Sequence, residues 1–200
     1  MERHVNPLLR WCISKFYKIF SRLLDEIAEE QKEGLKSRFK RCGKHVRLNG
    51  RICISGPEDV EIGDNVHIGD NAFIRAEGGL VIGDNTHISR NLVCYTINHD
   101  YTGQCLPYDN NMIKKRVVIG RNVWIGMNVT IIPGVTIGDG AVIGLGTNVS
   151  SDVPPLAIVG SAKHRIIKYR DKDHYDRLNN ARKYGGINGR PLDNDDYVGE

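Results

Sequence analysis

From residue 117 to residue 160 the chain repeats one six-residue sentence: IGRNVW from Ile119, IGMNVT from Ile125, IIPGVT from Ile131, IGDGAV from Ile137 and IGLGTN from Ile143. An aliphatic residue opens each unit, glycine usually follows, and a small or β-branched residue takes the fifth place. Neither an α-helix nor a simple hairpin has that period. Short β segments recurring every six residues form a β-solenoid, in which each unit lays down one strand and one corner. Side chains alternate across a strand, so Val123 and Ile125 point inward and Trp124 between them points out. Gly, Asn and Asp fill the corner places because they tolerate the positive φ of a sharp bend.

The same pattern runs earlier in the chain, as IGDNVH from Ile62, IGDNAF from Ile68, IGDNTH from Ile82 and ISRNLV from Ile88. Residues 77–80 shift the register by two, which predicts one wider corner. With that shift, His67 and His87 take the same outward place and are expected to stack on one face. The repeat breaks over residues 95–116 and resumes at Val117. A long interruption in so regular a scaffold is either disordered or functional, and this one carries His99, Asp100, Tyr101, Cys105, Tyr108 and Asp109. Pro154 and Pro155 end the solenoid, since proline cannot continue a hydrogen-bonded ladder. A solenoid needs its exposed core covered, so residues 161–200 are read as a helical cap and tail, with a polar helix over residues 171–183.

Ahead of the repeats, residues 6–34 read as an amphipathic helix. Leu9, Ile13, Phe16, Phe20, Leu23 and Ile27 recur at alternating steps of four and three and form one apolar stripe. The first half and its lead-in carry basic residues (Arg3, Arg10, Lys15, Lys18, Arg22) and the second acidic ones (Asp25, Glu26, Glu29, Glu30, Glu33). The stripe is expected to pack on protein, either the solenoid or other subunits. Weak association with a membrane surface is the alternative. The domain reading is thus residues 1–44 helical, 45–160 solenoid and 161–200 cap.

Composition narrows the function classes. A net charge of +4, scattered along the chain, argues for no nucleic-acid partner. Five cysteines without paired spacing argue against a disulfide framework and for a reducing, cytoplasmic setting. The chain has no CxxC pair, and the two aligned histidines have no third histidine suitably spaced, so no metal is expected.

The run NVWIGMNVTIIPGVTIGDGAVIG resembles the hexapeptide-repeat acyltransferases, above all the sugar O-acetyltransferases of the maltose, galactoside and polysaccharide kind. The likeness extends over roughly residues 45–170. It implies a left-handed parallel β-helix, although physical rules for parallel crossovers favour the right hand. It further implies acetyl-CoA as donor, a sugar or polysaccharide-precursor acceptor, and a homotrimer with sites in the clefts between subunits.

Acyl transfer from a thioester to a hydroxyl needs a group to take the hydroxyl proton, and histidine suits that task near neutral pH. His99 stands at the start of the loop where the family places its catalytic histidine. By the same resemblance Trp124 lines the groove near the donor, while Gly126, Gly144, Leu145, Ser150 and Ser151 fall where the pantetheine arm is held. Arg165 and Lys168 fall where phosphate contacts lie, and the acceptor side takes in Arg75, Asp100, Tyr101 and Trp124. Where the maltose and galactoside branch has a Tyr and an Asn, this chain has Phe73 and Arg75, which implies a different acceptor. Cys94 and Cys105 lack a histidine at an activating spacing, so direct transfer is expected rather than an acyl-cysteine. Amino-sugar N-acetylation uses the same base and donor. A non-catalytic scaffold or metal-binding solenoid is the reading from a different class.

Overall fold

A computed structural model describes residues 7–161 and 168–184 of the chain, with side chains from residue 10 onward. The chain divides into two units, residues 1–161 and residues 162–200. In the second unit a short helix, Lys172–Asn180, is capped by Asp171, whose carboxylate accepts from the His174 N–H at 2.7 Å.

In the first unit three parallel sheets are visited in fixed rotation. Sheet A stacks Arg41–Cys42, Val60–Ile62, Leu80–Ile82, Val117–Ile119 and Thr136–Ile137. Sheet B stacks Arg47–Leu48, His67–Ile68, His87–Ile88, Trp124–Ile125, Val142–Ile143 and Ile158–Val159. Sheet C stacks Ile52–Ser55, Ala72–Arg75, Val93–Tyr95, Thr130–Ile131 and Asn148–Val149. Each coil therefore turns A, B, C and back to A, which produces a triangular prism with three faces and three edges. The first strand, Arg41–Cys42, precedes the His45 start expected from the repeat. It opens a unit, CGKHVR from Cys42, in which cysteine takes the aliphatic place, and it pairs in register with Glu61–Ile62.

The core is a column of mainly aliphatic side chains contributed by all three sheets. Ile62, Ile82, Ile119 and Ile137 line sheet A, while Ile68, Ile88, Ile125 and Ile143 line sheet B, and all are buried. Coil length varies without breaking this column. His67 pairs with His87, twenty residues on. Val118 pairs with Thr136, eighteen on. Ile137 bridges Val153, sixteen on. The additional residues of the longer coils sit in corners, outside the core, so the inward register is kept.

The corners show why asparagine recurs. Asn65, Asn85 and Asn122 adopt φ between 54° and 57°, and their side-chain amides bond one another in a ladder at 3.0 and 3.2 Å. Asn71, Asn91 and Asn128 do the same on the next edge at 3.0 and 2.7 Å. A short polar side chain tolerates the left-handed bend, and stacking turns that tolerance into hydrogen bonds between coils.

The amino-terminal helix, α1 (Pro7–Lys36), runs through Gly34 and ends two residues past the expected boundary. Its last turn is anchored: Leu35 packs against the core and the Lys36 Nζ donates to the Val46 carbonyl at 3.3 Å. The apolar stripe farther up the helix is not covered by the solenoid. Ile13, Phe16, Phe20, Leu23 and Ile27 are all exposed.

Candidate active site

The interruption of the repeat is a hairpin with an ordered tip. Ile97–His99 pairs antiparallel with Met112–Lys114, placing His99 opposite Met112. Two carboxylates shape the tip between them. Asp100 accepts from the Thr102 hydroxyl at 2.7 Å and the Thr102 N–H at 2.9 Å, and these bonds hold its carboxyl below the usual range. Asp109 accepts from the N–H groups of Gln104 at 2.9 Å and Asn111 at 2.8 Å, with the same effect on its own carboxyl. A Cβ at Gly103 would meet the Asp109 carboxylate at 2.2 Å, so a larger residue there would displace that carboxylate. Asp100 thus shapes the loop, and Tyr101 stands out in solvent.

His99 is held by stacking. Its ring lies on Tyr108 with centroids 3.8 Å apart and planes 18° from parallel. Nδ1 is buried and has no hydrogen-bond partner among the described residues. No carbonyl or carboxylate among the described residues orients the ring through that nitrogen. Tyr108 is a site residue whose role the sequence does not reveal, because contacts within an irregular loop follow no period.

On sheet C, the face adjoining the hairpin, Arg75 pairs in register with Tyr95, and Phe73 lies 6.0 Å from Tyr95 between ring centroids. The Arg75 Nε donates to the Glu77 carboxylate at 3.0 and 3.3 Å. Arg75, Phe73 and Tyr95 form a wall that is aromatic and only partly cationic, because Glu77 offsets the guanidinium.

Trp124 stands elsewhere. It projects from sheet B, 60% exposed, with His87 and Val142 as its ladder neighbours. Above it the rings of His67 and His87 stack at 4.2 Å and 12°. Burial, then His87, then Arg47 hold the His67 pKa below its ordinary value. The His99 hairpin leaves the prism at the edge between sheets C and A, and sheet B is the face opposite that edge. His99 and Trp124 of one chain therefore cannot line one cleft.

The residues assigned to the donor are also divided. Gly126 and Gly144 stack on the edge between sheets B and C, where a Cβ at Gly126 would meet the Leu145 nitrogen at 2.8 Å, and Leu145 projects into solvent. Ser150 and Ser151 are exposed after the last strand of sheet C, on the edge from which the His99 hairpin leaves. Lys168 is exposed in the second unit, and Arg165 lies outside the described residues. Cys94 is buried in the core, where desolvation pushes its thiol up to about 12, so it is no nucleophile. Among the described residues, no group of three or more His, Cys, Asp or Glu is placed to hold a metal ion.

Comparisons with known proteins agree with this architecture. Residues 116–150 match the family model described as bacterial transferase hexapeptide (six repeats), and residues 59–95 match that of the hexapeptide repeat of succinyl-transferase. No curated protein matches the chain significantly. Among solved structures, a hexapeptide-repeat-containing acetyltransferase from Vibrio cholerae is 30% identical with a TM-score of 0.62, over 72% of this chain and 81% of that one. A maltose O-acetyltransferase from Clostridium difficile 630 is 28% identical with a TM-score of 0.62, over 84% of this chain and 90% of that one. A galactoside acetyltransferase in complex with coenzyme A is 28% identical with a TM-score of 0.56, over 83% of this chain and 78% of that one. With its three-sided stack of hexapeptide coils and this likeness over most of its length, the chain belongs to the hexapeptide-repeat acyltransferases, left-handed parallel β-helix enzymes.

Proposed function

We propose that this acyltransferase is an acetyl-CoA-dependent sugar O-acetyltransferase, acting on a surface-polysaccharide unit or precursor, with His99 as general base and sites shared between the subunits of a homotrimer. The observation that carries this reading is the position of His99. It is the histidine of a structured hairpin that interrupts the repeat, and that hairpin follows directly on the strand carrying Tyr95, part of an aromatic wall suited to the faces of a sugar ring. The likeness to sugar acetyltransferases, one of them in complex with coenzyme A, supports both donor and acceptor class.

In this reading the acceptor hydroxyl attacks the thioester carbonyl while His99 takes its proton. The tetrahedral oxyanion is stabilised by backbone N–H groups. Collapse breaks the C–S bond, and the departing thiolate recovers the proton from the imidazolium. Stacking on Tyr108 restricts the His99 ring to one plane, which shortens the search for an in-line geometry. Because Trp124 lies across the prism, it serves the cleft formed with a neighbour's hairpin.

The test is release of free thiol from acetyl-CoA by the purified protein across a panel of neutral, acidic and amino sugars, with products identified by mass and by NMR. An O-acetyl ester on a hydroxyl is expected. An amide formed only with amino sugars would replace this reading by N-acetylation, and absence of sugar-dependent thiol release would defeat both.

A further inference from the structure

We propose that the outer part of α1, up to Leu24, lies on an anionic lipid bilayer, holding the enzyme at a membrane surface. The stripe and its flanks are open: Ile13, Phe16, Phe20, Leu24 and Ile27, among others, are between 42% and 70% exposed. At 100° per residue the apolar side chains from Ile19 round to Tyr17 span an arc of about 160°. That is wider than the seam of a coiled coil. The charges on the opposite arc of this outer part are all cationic, Arg10, Lys15, Lys18 and Arg22 with Trp11 among them, and no acid occurs between residues 7 and 24. A broad apolar face opposite a basic polar face is the pattern of a helix that lies in the interface plane. Among the described residues no helix is long and apolar enough to cross a membrane, so the contact is with one surface.

The acids that would oppose such a contact are placed away from it. They begin at Asp25, in the half of α1 that leads to the solenoid. There Asp25 and Glu29 share a groove with Arg51 and Ile52 of the first coil, and Glu29 and Glu33 pair with Lys32 and Lys36. The change of charge along the helix therefore coincides with a change of neighbour. The acidic half stands over the solenoid, and the basic half extends past it. A second copy of the chain is the rival cover, since Leu9 to Ile27 also fits a heptad. The positions flanking that heptad are Arg10, Tyr17 and Leu24 on one side and Cys12, Ile19 and Glu26 on the other, which supplies too little charge to specify a partner helix.

The experiment is flotation of the full-length protein with vesicles of equimolar phosphatidylglycerol and phosphatidylcholine, and with pure phosphatidylcholine. Binding to the first and not the second is expected, weakening as salt rises. Each basic residue contributes about fivefold to partitioning, so Lys15→Gln with Lys18→Gln should weaken it roughly 25-fold. Phe16→Ser with Phe20→Ser should abolish flotation while leaving melting temperature and oligomer mass as in the parent. The proposal is overturned by absence of flotation, by equal binding to both vesicle types, or by a double Phe variant that loses oligomer mass, which would assign the stripe to a second copy. None of these readouts uses catalytic turnover, so the result stands apart from the proposed acceptor and base.

Discussion

His99 and Trp124 lie on opposite sides of the same prism, one on the hairpin at the edge between sheets C and A, the other on the face of sheet B. A site that uses both must draw them from two copies of the chain. Mixing subunits that carry His99→Ala with subunits that carry Trp124→Ala should therefore restore activity that neither variant shows alone. Random assembly of equal amounts would make about a quarter of the clefts fully wild type. Measured turnover after refolding the two variants together, set against the average of the separate proteins, decides this. No gain over that average would mean that one chain builds the whole site.

The stack on Tyr108 gives a second expectation. His99→Ala should lower turnover about 100-fold or more with the melting temperature unchanged, the usual scale for losing a general base. Tyr108→Phe keeps a flat ring over the imidazole and should retain most activity. Tyr108→Ala frees the ring and exposes Nδ1, so it should lower kcat more than it raises KM. An unaltered kcat in Tyr108→Ala would reduce Tyr108 to a loop residue.

His67 makes stability depend on pH in a window of its own. Its folded pKa is lowered by burial, then by His87, then by Arg47, so the unfolded chain takes up the proton more readily. That contribution is complete above the unfolded value near pH 6.5 and declines as pH falls below it. Glu61 acts in a lower window: the hydrogen bond from Lys40 is the largest cause of its lowered pKa, and its share is lost only as pH falls toward that value. His67→Asn should flatten the melting temperature between about pH 7 and pH 5 and leave the steeper acid fall in place. An identical slope in parent and variant would remove His67 from the acid response.

Asn85 tests the corner ladder. Its φ is 56°, its amide donates to Asn122 at 3.2 Å, and its oxygen accepts from Asn65 at 3.0 Å. Asn85→Ala combines left-handed strain with loss of both bonds and should cost about 2 kcal/mol in denaturant unfolding. Asn85→Gly escapes the strain and should cost about half as much. Equal losses would mean that the ladder, and not the bend, sets the preference for asparagine.

Much of this molecule is legible in the order of its residues. The hexapeptide period determines the solenoid, the inward isoleucines, the outward Trp124 and the alignment of His67 with His87, because a coil that repeats its backbone repeats its side-chain directions. Asparagine at the bends is likewise a local matter of φ. Residues 95–116 announce themselves as an interruption, and His99 as their candidate base. The stack of His99 on Tyr108 and the use of Asp100 and Asp109 to shape the tip are not written in any period, since an irregular loop closes by contacts between residues at arbitrary spacing. The division of His99 and Trp124 between opposite sides of the prism follows from the rotation through three sheets, which places a residue by its face and edge as well as by its distance along the chain. The uncovered stripe of α1 is also decided only in three dimensions. Its periodicity requires a partner, and only the folded chain shows that the solenoid engages the acidic half and leaves the basic half free.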